Sequence, residues 1–348
     1  MNLVRLQYGG GGGELHGATI IVNTKETTLV GKEVLLYKAS DLSTIINKTI
    51  FSALSSDGVS TATFNNIIEP DTYIVKSSDG IDEATSEDIT INSDEIINKI
   101  IKTTIISFYK IVTFAGGTDE EIYKMLKAHY SGSINISDYW SVGDTRSITL
   151  SAIDSTLTGE SQPLQTVTFV ILGLEEDTLA TPIGTRSKSA ITVYMKTPFS
   201  TAGKMNDSNT YSWENCKRRT WCNSLFVDSL PNYIKQSVKL INKNTATSPT
   251  NSTINVTQDK AFLLSYQEEY GTNTDLPNYN QVVSDGCDIY SYFESSSNRG
   301  RAIHSSNTST FWRGFFKDER RACFDYSVPR VDHGSDTSVL NIQVGFCM

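Results

Sequence analysis

One segment, residues 112–150, constrains the fold more than any other part of the chain. Thr118 and Glu121 form the pattern of a capping box, in which the Thr hydroxyl accepts from a first-turn amide and the Glu reaches back to the Thr amide. Four residues at helical spacing then make an apolar stripe: Ile122, Met125, Leu126 and His129. Residues 130–132 end this helix, and residues 145–153 read as a strand. We therefore expect a short helix packed beside a sheet.

Residues 14–92 carry short strand patterns with frequent turn signals. Apolar or alternating runs begin near residues 18, 33, 48, 61 and 71, and Asp57-Gly58 and Asp79-Gly80 mark turns between them. This spacing predicts a small β-sandwich. In front of it, five glycines make residues 1–13 a flexible arm. The arm is either a disordered tail or a segment that docks into a neighbouring subunit.

The junction between two domains is placed at residues 93–112. The isoleucines of residues 96–105 fit a helical stripe, whereas residues 102–111 fit a strand equally well. Beyond this connector, residues 113–348 mix strands with short helices, one of them beginning at Pro231 and carrying Ile234, Val238 and Ile241 inward. The predicted fold class is mainly β with an α+β C-terminal domain.

Charge and cysteine usage exclude several classes of protein. A net charge of −9 argues against a nucleic-acid partner, and the short cluster Lys217-Arg218-Arg219 reads as a solvated face. No apolar run approaches the roughly 18 residues of a membrane span, and the N-terminus lacks the apolar core of a secretory signal, so we expect synthesis in the cytoplasm and no membrane insertion. Five cysteines without a CxxC pair predict reduced thiols, no metal site and no cofactor.

Catalytic motifs are missing from the sequence. No nucleophile elbow, zinc-protease motif or phosphate loop is present. Glu268 and Glu269 were candidates for an acid/base pair, but neighbours on a strand point to opposite faces. We therefore predict no catalytic residues and no enzyme activity.

The candidate binding surface lies between Tyr266 and Arg313, where tyrosines alternate with Ser, Asn and Gly. Rigid aromatic rings beside small hydrogen-bonding groups are typical of adaptable binding loops. An alternative is that half of these rings cover the sheet. The tryptophans at 140, 213, 221 and 312 lie in strand and helix patterns and are assigned to the core. The predicted ligand-binding residues are Tyr290, Tyr292, Asn298 and Arg299.

Residues 113–348 begin with the segment from Gly116 to Ile148 and carry five further motifs. These are the apolar run Val167 to Leu172, Trp213 with Arg219, Trp221 and Asn223, Phe262 to Ser265 with Glu268, Trp312-Arg313, and the terminal Gly345-Phe346-Cys347-Met348. Together they resemble a domain of unassigned function that recurs in tail-associated and surface proteins of bacteriophages and prophages. Two motifs depart from that pattern: Trp312-Arg313 is followed directly by Gly314, and a proline before the last strand is missing. The resemblance implies a C-type-lectin-like fold. Gln162-Pro163-Leu164 lacks the calcium-binding tripeptide of sugar-binding members, so no calcium site is expected.

Residues 14–92 resemble the pilin-like, Cna-B-type immunoglobulin sandwich of surface proteins, with Asp57-Gly58 in a hairpin and Phe64 in the core. Together the two resemblances imply a virion structural protein at the tail fibre or tail tip, which binds host surface glycan or protein non-covalently. They imply attachment to other virion proteins through the N-terminal region, homo-oligomers and a location on the virion surface. A head fibre or capsid decoration protein and a cell-wall glycan-degrading enzyme are the alternatives.

Overall fold

The protein is described from a computed structural model, and the chain divides into two compact units, Met1–Lys110 and Ile111–Met348. It is mainly β with a few short helices, which confirms the predicted fold class. No helix of the described residues is long and apolar enough to cross a membrane. The predicted arm, residues 1–13, lies outside them. The described residues are 17–80, 83–93, 100–105, 107, 109–155, 161–208, 212–248, 250, 253–271, 277–300, 303, 309–316, 320–325, 330–334 and 337–348.

The first unit is a two-layer β-sandwich. One sheet has the strand order β4-β1-β8, and the other has the order β3-β2-β5-β6 with β7 also paired to β5. Alternate residues of both sheets, among them Ile20, Val34 and Phe64, share one buried core. The strands are β1 (Ala18–Thr24), β2 (Glu33–Lys38), β3 (Asp41–Ile50), β4 (Ser60–Ile67), β5 (Asp71–Ser78), β6 (Glu83–Thr85), β7 (Ile89–Ile91) and β8 (Ile100–Ile105).

The end of this unit and the start of strand β3 differ from the sequence prediction. The ambiguous connector, residues 93–112, contains strand β8, which pairs in parallel with β1 and so extends the first unit past residue 92. A β-branched segment can complete the free edge of β1, and tertiary pairing therefore decides a pattern that periodicity leaves open. Strand β3 begins seven residues before the predicted run at residue 48. It lies at the edge of its sheet, mostly exposed, and lacks the alternation of a half-buried strand.

Within its described residues, the second unit holds three antiparallel sheets. Their strand orders are β16-β20-β13-β10-β9, β12-β11-β14-β15 and β17-β18-β19. In the first of these sheets, β13 is buried along its whole length and β10 is buried from Phe169 to Gly173. The strands are β9 (Thr145–Leu150), β10 (Gln165–Leu174), β11 (Thr178–Ile183), β12 (Arg186–Lys188), β13 (Ile191–Met195), β14 (Ile241–Ala246), β15 (Ile254–Asp259), β16 (Ala261–Phe262), β17 (Thr310–Phe316), β18 (Arg320–Asp325), β19 (Arg330–Gly334) and β20 (Gly345–Cys347).

In the described part of the second unit, five short α-helices accompany these sheets. A π-helical turn, Cys222–Phe226, joins the second and third of them. The predicted helix after Pro231 ends at Ser237, and Ile241 instead begins β14, where it is buried and paired with Asp259. The helices are α1 (Asp119–Tyr130), α2 (Lys217–Trp221), α3 (Val227–Ser229), α4 (Asn232–Ser237) and α5 (Tyr266–Tyr270).

Helix α1 confirms the prediction from its sequence. The Thr118 hydroxyl accepts from the Glu121 amide at 3.2 Å, and the Glu121 carboxylate accepts from the Thr118 amide at 2.8 Å. The four stripe residues are all buried, and the helix packs against α4. The four tryptophans are also buried, at 2% exposure or less, which confirms their assignment to the core.

Candidate functional site

A wide cleft lies in the second unit. Its volume is about 610 Å³, and it opens where the turn before β11, strand β14, helix α5 and the loop before residue 291 come together. Its lining is mostly polar and charged. We call it the polar cleft and define it by six of its lining residues: Glu176, Asp177, Lys188, Lys243, Tyr290 and Ser291.

Lys243 occupies the floor of the polar cleft and is almost wholly buried. Its ammonium donates to Asp177 Oδ1 at 2.5 Å, to Glu268 Oε1 at 2.8 Å and to the Tyr290 hydroxyl. A lysine ammonium has three protons, so each has a partner. Burial by itself lowers the pKa of Lys243, but the two carboxylates more than offset it and raise that pKa above its usual value.

Asp177 is the second buried charge of the floor. Besides Lys243, its carboxylate accepts from the Tyr290 hydroxyl at 2.8 Å, from the Thr192 hydroxyl and from the Cys347 thiol at 3.2 Å. Burial favours the neutral acid, yet the ammonium and these donors outweigh burial and hold the pKa of Asp177 below its usual value. The carboxylate is therefore ionised and its lone pairs are occupied.

Glu268 links the floor to a buried arginine. Its Oε2 accepts from Arg313 Nη1 and from the Ser265 amide at 2.9 Å, the second bond being half of a capping box at the start of α5. Arg313 also donates to the Leu263 carbonyl at 2.9 Å and to the Asn244 carbonyl at 3.1 Å. The arginine thus ties α5, β14 and β17 together. We call Asp177, Lys243, Glu268, Tyr290 and Arg313 the charged floor.

Burial raises the pKa of several groups in and around the charged floor. Asp285 lies 3.5 Å from Arg313 Nη2, and burial raises the pKa of this carboxyl despite the arginine. Burial also raises the pKa of the Tyr290 phenol and of the Cys347 and Cys287 thiols. A reactive cysteine needs a lowered pKa. Neither thiol has such a lowered pKa, and the charged floor is a network of buried groups that hydrogen-bond one another.

A second polar cluster surrounds Asp259 at the end of β15. Its carboxylate accepts from Trp213 Nε1 at 3.1 Å, Arg219 Nε at 2.6 Å and Asn223 Nδ2 at 3.1 Å. The Thr257 hydroxyl donates to the same carboxylate at 2.6 Å. The polar members of the predicted Trp-Arg-Trp-Asn motif therefore all donate to one buried carboxylate. This shared contact explains the spacing of the motif.

The prediction of a solvated basic face at residues 217–219 is wrong for two of its three residues. Lys217 is exposed and pairs with Asp207. Arg218 is completely buried, where it donates to the Lys204 carbonyl at 2.7 Å and its guanidinium lies 4.7 Å from the Trp221 ring centre. Arg219 belongs to the Asp259 cluster. Charge composition cannot foresee this, because the partners are a distant carbonyl, a ring and a carboxylate.

The placement of Glu268 and Glu269 on a strand is also wrong. Both lie on helix α5, because the Ser265 capping box starts a helix there. Both side chains are buried. Glu269 accepts from the Gly300 amide at 2.7 Å and from Trp312 Nε1 at 3.0 Å, so the two glutamates hold different parts of the unit.

The four predicted ligand-binding residues are close in the fold but have different surroundings. Tyr290 lines the polar cleft as part of its floor. Tyr292 is buried, at 9% exposure, against Phe293. Asn298 donates to the Tyr292 carbonyl at 2.8 Å, and Arg299 donates to the Phe293 carbonyl at 2.6 Å. These bonds hold the loop that carries Tyr290, and contact of the four with a ligand stays a prediction.

Sequence reasoning missed two members of the floor. Asp177 and Lys243 are 66 residues apart and carry no local motif. Glu268 and Arg313 both belong to motifs of the resemblance, so the sequence pointed to each residue. Nothing in the sequence pointed to the ion pair between them. The exposed residues of the cleft, Lys188 and Ser291, were also missed. Such residues have no periodic pattern and are found only once the loops are placed.

The chain is similar to one described family over part of its length. A family named as a domain of unknown function, DUF6273, matches residues 188–322. The match covers less than half of the chain and includes Lys243, Glu268 and Arg313 but not Asp177. No curated protein and no solved structure gives a significant match. In the described part of the chain, no three His, Cys, Asp or Glu residues are grouped as metal ligands would be.

Proposed function

We propose that the chain is a structural protein of a bacteriophage virion and that its second unit recognises the host cell surface non-covalently. The virion assignment rests on the resemblance of residues 113–348 to a domain of phage tail-associated and surface proteins. On the same resemblance, the second unit is a C-type-lectin-like domain. The first unit, a sandwich that resembles pilin-like immunoglobulin domains, attaches the protein to other virion proteins.

The polar cleft is the observation that supports recognition of the host cell surface. Its floor is a network of buried charges whose donors and acceptors satisfy one another, and Lys188 and Ser291 stand exposed around it. A rigid floor costs little free energy of ordering when a ligand binds. Exposed ammonium and hydroxyl groups suit the hydroxyl-rich surface of a glycan or a polar protein loop.

The same geometry supports binding over catalysis. General acid–base catalysis needs a group whose pKa lies near the working pH, and covalent catalysis needs an activated nucleophile. In the cleft, the pKa of Asp177 and that of Glu268 are lowered on balance by their basic partners although burial opposes this, and the pKa of the nearby thiol of Cys287 is raised by burial. The proposal is therefore a binding protein.

Imaging of intact virions tests the virion assignment. An antibody raised against residues 113–348 should label the tail fibres or the tail tip. Label on the head would replace the tail role with a head fibre or capsid decoration role. Virions without label would overturn the virion proposal.

A blocked cleft tests the recognition role. The purified chain, added in excess, should prevent the virions from adsorbing to their host cells. Ser291→Trp places a large ring in the cleft and should abolish this competition. Ser297→Trp adds the same ring to an exposed serine that does not line the cleft and should compete like the unchanged protein.

Either of two results contradicts the recognition role. Failure of the unchanged chain to compete would count against host recognition altogether. Equal competition by both tryptophan variants would move the binding surface away from the polar cleft.

A further inference from the structure

A second pocket of the same unit contains a lysine of a different kind. The pocket has a volume of about 360 Å³ and lies between α1, the end of β11 and the segment that follows α4. Its lining includes Leu126, Tyr130, Ile183 and Lys239. We call it the Lys239 pocket. A volume of this size is within the range of small-molecule sites, which is roughly 300–1,000 Å³.

Lys239 is held in place by its backbone. Its amide donates to the Cys347 carbonyl at 2.8 Å, which fixes the residue beside the last strand, β20. Its ammonium lies 4.9 Å from the centre of the Tyr130 ring, a cation–π contact. Within the described part of the chain, no carboxylate pairs with this ammonium.

Among the described lining residues of the pocket, none carries a negative charge to pair with the Lys239 ammonium. Burial lowers the pKa of Lys239, because it disfavours the charged ammonium. Lys127, which is exposed, also contributes to the lining, and no Asp or Glu is found among its described lining residues. A partly buried cation without a partner is costly. An anion beside Lys239 would offset that cost and form a charge-assisted hydrogen bond.

The walls of the pocket are apolar. Leu126 and Tyr130 are buried core residues of α1, and Ile183 at the end of β11 is half-buried. Tyr123, also half-buried, lies beside Tyr233, with the two ring centres 5.8 Å apart and the rings tilted by 38°. These surfaces would exclude water from the body of a ligand, and burial of apolar area favours binding by roughly 25 cal/mol per Å².

We propose that the Lys239 pocket binds a small organic carboxylate. The carboxylate pairs with the Lys239 ammonium, and the apolar body lies against Leu126, Tyr130 and Ile183. A monoanion matches the single buried ammonium, whereas a phosphate dianion would bring a second charge into an apolar site at added desolvation cost. The proposal does not depend on the virion assignment.

A pair of matched probes tests the charge requirement. Isothermal titration of the purified chain with 4-phenylbutyrate should show saturable binding. Its neutral twin, 4-phenylbutyramide, has the same body without the charge and should bind at least tenfold more weakly. No binding of the acid, or equal binding of acid and amide, would overturn the proposal.

Two lysine variants locate the binding. Lys239→Met keeps the length and apolar stem of the side chain but removes the charge, and it should weaken binding of 4-phenylbutyrate at least tenfold. Lys235→Met is the matched control, because Lys235 lies on α4, pairs with Asp228 and does not line the pocket. Undiminished binding to Lys239→Met would contradict the proposal. Should Lys239→Met fail to fold, the comparison of acid with amide on the unchanged chain still decides.

Discussion

Two lysines of the second unit, four residues apart in sequence, have opposite environments. Lys243 is buried among carboxylates and a phenol, and its pKa is raised. Lys239 is partly buried against a ring and apolar side chains, and its pKa is lowered. The comparison shows that carboxylate partners decide whether the pKa of a lysine removed from solvent rises or falls. A paired lysine stabilises the fold, and an unpaired one offers its charge to a ligand.

The largest expected effect comes from removing the paired charge. Lys243→Met leaves Asp177 and Glu268 buried without their ammonium, and loss of one member of a buried pair typically costs about 3–5 kcal/mol of unfolding free energy. Lys239→Met should change the unfolding free energy by less than about 1 kcal/mol, because it removes a poorly solvated charge and a weak cation–π contact.

Urea unfolding followed by tryptophan fluorescence measures both variants. All four tryptophans lie in the second unit, so their signal reports that unit alone. Similar losses for the two methionine variants would break the comparison between the lysines.

His129 extends the comparison to a buried base that stays neutral. Its Nδ1 accepts from the Ile136 amide at 3.3 Å, which places the proton on Nε2, 3.5 Å from Glu175 Oε1. Burial, and after it the Arg186 charge, lowers the pKa of His129 to about 4. The unfolded imidazole, with a pKa near 6.5, binds its proton first as the pH falls. Stability present above about pH 6.5 is therefore lost between about pH 6.5 and pH 4, by up to about 3 kcal/mol.

Comparison of the unchanged chain with His129→Gln separates the effect of this histidine on the unfolding free energy from that of carboxylates that titrate in the same pH range. Unfolding free energies of the unchanged chain and of His129→Gln, measured at pH 7.5 and pH 4.5, should show the smaller acid loss in the variant. Identical acid losses would mean that His129 titrates normally in the folded protein.

The smallest expected effect comes from the N-cap of α1, whose loss should affect the Lys239 pocket but not the polar cleft. Thr118→Ala removes the N-cap of α1 and should cost about 1 kcal/mol, whereas Thr118→Ser keeps a capping hydroxyl and should cost less. Helix α1 supplies Leu126 and Tyr130 to the Lys239 pocket but no lining residue to the polar cleft. Titration with 4-phenylbutyrate should therefore weaken in Thr118→Ala while competition for host adsorption is unchanged. Equal changes in both assays would show that the two pockets are coupled.

Local patterns allowed part of this structure to be predicted. The cap and stripe of α1 and the burial of the tryptophans follow from residues close in sequence, and the structure confirms them. The side chains of Cys216, Cys222 and Cys347 are buried. Periodicity left strand β8 open between helix and strand, and pairing with β1 decided it. Helix α5 was predicted as a strand, and the Ser265 capping box starts a helix there instead.

The sequence by itself determined helix α1 and strands such as β1, β2, β4 and β5, because caps, turns and apolar periodicity act over a few residues. Only the tertiary structure decided which charges are buried and which of them have partners. Asp177 and Lys243 meet across 66 residues of chain, whereas Lys239, four residues before Lys243, is placed among apolar walls. Electrostatic partnership depends on distances in space, which charge composition does not encode. The two lysines are therefore alike in the sequence and different in the fold.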